Sequence, residues 1–234
     1  HWGWHAPFLM IVAVSLLVGV LIVLYLRPIR DHLELRVDRS PLHHLKQTIS
    51  KPRYLQGFAT TALLSTGGFM LMPFTSAFSV NNVGISLSKL PLVYMITGAC
   101  SLITGPLVGR ASDKFGKFRI FLFGSILSII MIFIYTHLSI TPIHIVIAIN
   151  VVLFLGITSR IIASSALMSA LPAASDRGAY MSVSSSIQQI SGGFAAALGG
   201  LVVVQTSTGA LENFDELGYL VIIATLITVM MMYF

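Results

Sequence analysis

Near the middle of the chain, Gly109, Asp113, Lys114, Gly116 and Lys117 keep the spacing G-x-x-x-D-[RK]-x-G-[RK], with Arg119 close behind. A single carboxylate set among Arg110, Lys114, Lys117 and Arg119 can form ion pairs or accept hydrogen bonds. It has no second acid beside it for proton transfer of the enzymatic kind. All eight Asp and Glu residues lie in polar connections or in this stretch. His43 and His44 stand in a basic segment without the spacing of metal ligands, and Cys100 is the one cysteine, so no disulfide can form within the chain. The residue types therefore predict no catalytic group, no metal and no cofactor.

The remaining polar side chains of interest sit inside long apolar runs. Arg160 is the most costly of them, since a cation at membrane depth is expensive and is functional by default unless it snorkels to the interface. Placed near the end of its run, Arg160 admits either reading. Asn150 lies in the same run, and Gln188 and Gln189 lie within another. As neighbours on a helix the two glutamines point about 100° apart, so at most one is expected to face a solute path. A further run carries Thr66, Phe69, Met72 and Phe74 around Gly67-Gly68 and Pro73. A Gly-Gly followed by proline is a weak point in a membrane helix, either a packed kink or a break lining a cavity.

These residues have to be positioned by membrane helices. Hydrophobic residues make up 56% of the chain and charged ones 9%, and mean hydropathy is +0.90. Such a composition excludes a soluble domain. The net charge of +6 sits between apolar runs without interleaved aromatics, which argues against nucleic-acid binding. About twenty apolar residues cross a bilayer, and seven runs qualify: 7–26, 56–78, 87–108, 120–135, 143 to beyond 156, 179–205 and 218–234. An all-α polytopic membrane bundle is the predicted fold, with 105–119 a tight loop between two spans. The inner connections carry +4, +3 and +1, and the outer ones 0, 0 and −3, with Lys89 adding +1. By the positive-inside rule the N-terminus lies outside and the C-terminus inside. Segment 27–53 is the longest connection, and Pro41 with Leu42, Leu45 and Ile49 at helical spacing suggests a short surface helix in it, or else a solvated linker. Trp2 and Trp4 suit a headgroup position at the start of the first span. In the sixth span, Gly192/Ala196/Gly200 and Gly193/Ala197 are small residues four apart, a spacing for close helix packing.

The motif at Gly109 to Lys117 resembles the signature of the major facilitator superfamily of secondary transporters. Phe118 stands where that family commonly has a second adjacent basic residue, a drift that suits the copy between its eighth and ninth helices. Pro172-x-x-x-x-Arg177-Gly178 is similar to the loop before the family's eleventh helix. The resemblance implies the last seven helices of a twelve-helix fold: 1–26 the final helix of the N-terminal bundle, 27–55 the cytoplasmic linker, and 56–234 the C-terminal six-helix bundle. The start at His1, without initiator methionine, basic n-region or cleavage site, agrees with a segment of a longer chain and not with a signal peptide.

What the resemblance further implies is secondary transport by alternating access, of the kind found in bacterial drug or sugar efflux proton antiporters of the inner membrane. Partners would be a small-molecule substrate, membrane lipid and the N-terminal bundle of the same chain. Asp113 would latch one conformation by accepting from helix N-terminal amides or pairing with a basic residue. Gly109 and Gly116 would permit the turn, and Lys114, Lys117 and Arg119 would supply charge contacts. Thr66, Phe69, Met72, Phe74, Asn150, Arg160, Gln188 and Gln189 are the candidate substrate-path residues. No carboxylate is available in these spans to carry the coupled proton. A seven-helix receptor shares the topology, but the last span has no lysine for a Schiff base and no Asn-Pro-x-x-Tyr, and the third span lacks an Asp-Arg-Tyr ending. A structural bundle would leave the charged motif unexplained.

Overall fold

The computed structural model describes residues 5–26 and 41–233. Trp2, Trp4, the charges of 27–39 and Phe234 lie outside them, as do the side chains of His43 and His44. Chain contacts divide into two units, one ending at Ser40 and one beginning at Pro41. The first contains α1 (Ala6–Tyr25), a helix apolar all round, as a membrane span requires.

The second unit is a helical bundle of α2 (Pro41–Ile49), α3 (Pro52–Phe69), α4 (Thr75–Asn81), α5 (Leu90–Phe115), α6 (Lys117–Thr136), α7 (Ile143–Ala170), α8 (Arg177–Val202) and α9 (Phe214–Tyr233). A small hairpin, β1 (Val204–Gln205) against β2 (Leu211–Glu212), joins α8 to α9. Connections alternate between two ends. One, the linker end, holds Lys51, Gly116 and the 171–176 turn; the other, the hairpin end, holds 82–89, 137–142 and the hairpin.

Helices α1, α5, α6, α7 and α9 are long and apolar enough to cross a membrane. Helices α3 and α8 are diluted by hydroxyl, amide and glycine residues, and they pack against each other. Large side chains lie on glycines across that contact: Tyr180 on Gly57, Phe69 on Gly192, Phe74 on Gly199. The buried face of α8 is thus Gly192, Ala195 and Gly199, whereas a Cβ on Gly193 would meet nothing within 4 Å. The four-residue spacing expected for this face is replaced by three-then-four, the period of a helix lying along its neighbour. Buried hydroxyls of Thr61, Ser65, Thr97, Ser125 and Thr228 return to the carbonyl four residues back, at 2.7–2.9 Å. That bond satisfies a polar group without a partner helix.

Helices α6 and α7 bring their backbones close together. A Cβ on Gly124 would stand 2.8 Å from the Gly156 carbonyl oxygen and 2.9 Å from the Arg160 amide nitrogen. Removal of both side chains lets the two backbones touch, the usual device where apolar burial gives helices no drive to associate.

Three expectations are corrected. The segment 105–119 is not a loop: α5 runs through Gly109, Arg110 and Asp113 to Phe115, and the connection is Gly116 alone, at φ 98°. Charge ends a membrane span but not a helix, whose backbone is as well satisfied in water as in lipid. For the same reason α7 continues beyond Arg160 through the Ser/Ala stretch to Ala170. The run 56–78 is broken, with α3 ending at Phe69 and α4 starting at Thr75 around Pro73, while Gly67 and Gly68 stay helical.

Candidate functional site

At the linker end, the α5–α6 corner collects the charged motif. Gly109, Asp113 and Lys114 lie in the last turns of α5, Gly116 is the connection, and Lys117 and Arg119 belong to the first turn of α6. Only Gly116 supplies the turn; Gly109 is helical with open space beside it. Asp113 is exposed, has no ion-pair partner among the described residues, and does not cap α6. Neither form of the expected latch is made within this bundle. Asp113, Gly116, Lys117 and Arg119, with Ser112 below and Leu167 of α7 alongside, line an open groove. Lys114 Nζ lies over the Phe115 ring at 5.3 Å.

A second cluster at the same end was not singled out by the sequence. Asp176, buried at the start of α8, takes the Lys51 ammonium and the Tyr54 hydroxyl on Oδ2, the latter at 2.9 Å. The Tyr54 oxygen in turn accepts from the Ala173 amide at 3.1 Å. Beneath them the fully buried Tyr180 ring stacks on Phe58 at 4.9 Å and meets Tyr54 edge-on at 5.3 Å. The entry to α3 is thereby tied to the entry of α8. The only signal in the sequence was the Pro172 to Gly178 turn itself, which contains Asp176.

Inside the bundle the candidate path residues divide. Arg160 is 5% exposed, its side chain held inside the bundle. Ten residues separate it from Ala170, about 15 Å at 1.5 Å per residue, so it lies within the helix and not near its end. Its Nη2 is 3.9 Å from the point a Gly67 Cβ would occupy, and Thr225 Oγ1 of α9 is 3.6 Å from the same point. The structure thus brings Arg160 to the α3 turn that contains Thr66. Thr66 itself donates to the Ala62 carbonyl at 2.9 Å, and Asn150, buried, donates to Val146 O at 2.9 Å. Phe69 and Phe74 are spent on the glycines of α8. Met72, in the break, is 69% exposed, and Gln188 and Gln189 are both exposed on α8. Neither glutamine is brought to Arg160 by any hydrogen bond among the described residues.

The sequence profile of the Major Facilitator Superfamily matches residues 1–196 and, in a second match, 57–234. The chain belongs to the major facilitator superfamily. It is also 30% identical over 118 residues, 49% of its length, to an MFS-type efflux pump of Mycolicibacterium smegmatis, and the match spans 27% of that protein. Membership in the major facilitator superfamily sets aside the receptor reading and makes the all-α bundle an integral membrane one. The charged motif of the α5–α6 corner is carried on a helix end and a one-residue connection.

At the hairpin end the bundle is closed by hydrogen bonds from Asn81 and Asn82 to the hairpin. Asn82 acts as a strand edge, donating from Nδ2 to Leu211 O at 2.8 Å and accepting the Leu211 amide on Oδ1 at 2.9 Å. Asn81 donates to Gly209 O at 2.7 Å. Phe78 stacks on Phe214 at 4.1 Å, and the Tyr135 hydroxyl meets Ser79 Oγ at 2.9 Å.

Proposed function

We propose that this chain is the part of a secondary transporter that runs from its sixth to its twelfth helix, working by alternating access and exporting a small organic solute such as a drug or sugar, with proton coupling. The observation that carries the reading is the family match, which in its two alignments reaches every part of the chain. Efflux is favoured by the relative, itself an efflux pump. Residues 1–26 would close an N-terminal bundle, 27–55 would form the linker, and 56–234 the second bundle, with that first bundle, the solute and lipid as partners.

The described ends support an orientation in the inner membrane with the N-terminus outside and the C-terminus inside. Lys51, Arg53, Arg110, Lys114, Lys117, Arg119 and Arg177 gather at the linker end, whereas Glu212, Asp215 and Glu216 gather at the hairpin end. Since Asp113 finds no ion-pair partner among the described residues, its latch contact would be made to the other bundle, in one conformation only. The break between α3 and α4 gives the hairpin end a short segment that can tilt separately from α3.

Expression of the complete gene in an efflux-deficient bacterium tests the reading, with dye accumulation and growth inhibition measured across a panel of drugs and sugar analogues. Reduced accumulation that collapses when the proton gradient is dissipated is expected. Asp113→Asn should insert normally yet change the conformational equilibrium and the transport rate. Accumulation unchanged across the panel, with the protein present in the membrane, would overturn the transport assignment.

A further inference from the structure

Arg160 differs from every other ionised side chain in the described helices, each of which lies in a connection or within about two turns of a helix end. It is 5% exposed, and its Nε and Nη2 have no hydrogen-bond acceptor among the described residues. No acid among the described residues reaches it: Asp113 and Asp176 are at the linker end, Glu212, Asp215 and Glu216 at the hairpin end. A guanidinium does not shed its charge in a protein, so an unpaired one at this depth costs several kcal/mol until an anion meets it. The two orphaned donors are not arbitrary ones. Nε–H and Nη2–H lie parallel along one edge of the planar guanidinium and form the fork that a carboxylate fills with both oxygens. Around the Gly67 Cβ position, 3.9 Å from Arg160 Nη2, stand Thr225 Oγ1 at 3.6 Å, buried and without a hydrogen-bond partner among the described residues, and Val221 Cγ1 at 3.7 Å, an apolar wall. Gly67 keeps the space between them clear of a side chain, a space in which a Cβ would make contacts of 3.6–3.9 Å.

We propose that Arg160, assisted by the Thr225 hydroxyl, binds the carboxylate of an organic anion, and that the solute carried by this protein bears such a group. The second clause rests on the transport reading; the binding site does not. The guanidinium edge orients the carboxylate, Thr225 donates to one of its oxygens, and the Val221 wall accepts the apolar remainder. A neutral amide of the same shape would present one donor group to a fork of donors and be rejected.

Thermal unfolding of the complete protein in detergent, at constant ionic strength, tests this with sodium acetate, benzoate and octanoate against sodium chloride and neutral benzamide. A saturable rise in Tm is expected with at least one carboxylate and none with chloride or benzamide. Arg160→Lys keeps the charge but loses the fork, and should weaken the apparent affinity about tenfold or more. Thr225→Val, nearly the same volume, should fold normally and also bind more weakly. No rise with any of the three carboxylates, an equal rise with chloride, or an unchanged response in both variants would overturn the site. Because the readout is binding, a protein that binds benzoate but moves no solute would count against the transport reading alone.

Discussion

The Tyr54 hydroxyl donates to Asp176 at 2.9 Å across 122 residues of sequence, joining the segment that leads out of the linker to the first turn of α8. The same oxygen receives the Ala173 amide, so one buried atom satisfies two others. Tyr54→Phe removes both bonds and little volume. A loss of about 1–2 kcal/mol is expected, because a buried carboxylate oxygen and an amide each lose a partner. In a double-mutant cycle with Asp176→Ala, read by denaturation in detergent, a coupling near zero would show that the bond contributes nothing.

The Gly124 and Gly156 contact makes a sharper test of packing. Gly124→Ala forces a methyl against the Gly156 carbonyl and the α7 backbone, at a cost of about 1–3 kcal/mol. Gly68→Ala, where a Cβ meets nothing within 4 Å, should be neutral or slightly stabilising. Melting temperatures of the two variants side by side decide it, and equal values would mean that α6 and α7 are not in contact at these glycines.

Gly109 and Gly116 are assigned the same turn-making role by the motif and are expected to behave oppositely. Gly116 holds φ 98°, a conformation L side chains rarely adopt, so Gly116→Ala should destabilise by about 1 kcal/mol or more. Gly109 is inside α5, and alanine there raises helix propensity by up to about 1 kcal/mol. If Gly109→Ala folds well but slows transport, the missing space lies against the partner bundle. Instability of Gly109→Ala by itself would contradict the helical placement.

Orientation is open to labelling. On a Cys100→Ala background, Ser207→Cys in the hairpin turn and Ser50→Cys at the end of α2 are both exposed positions. A membrane-impermeant maleimide added to intact cells should modify the first, and the second only after permeabilisation. The reverse pattern would invert the proposed topology.

Much of the architecture was legible along the chain, since a membrane span needs about twenty apolar residues and charge between spans reports their alternation. The weak point around Pro73 was legible, though not the choice between kink and break, and so was a turn within 105–119, though not its confinement to Gly116, because proline lacks an amide hydrogen and glycine tolerates positive φ. What apolar periodicity left open is which face of each helix meets which neighbour. Helices such as α6 and α9 carry large apolar side chains around most of their circumference, so no broad polar face marks the direction away from the core. For that reason the choice of Gly192, Ala195 and Gly199 over the four-residue spacing, and the meeting of Gly124 with Gly156, were decided by packing. The same holds for Arg160: its distance from a helix end followed from where α7 stops, and its burial from α3 and α9 closing beside it.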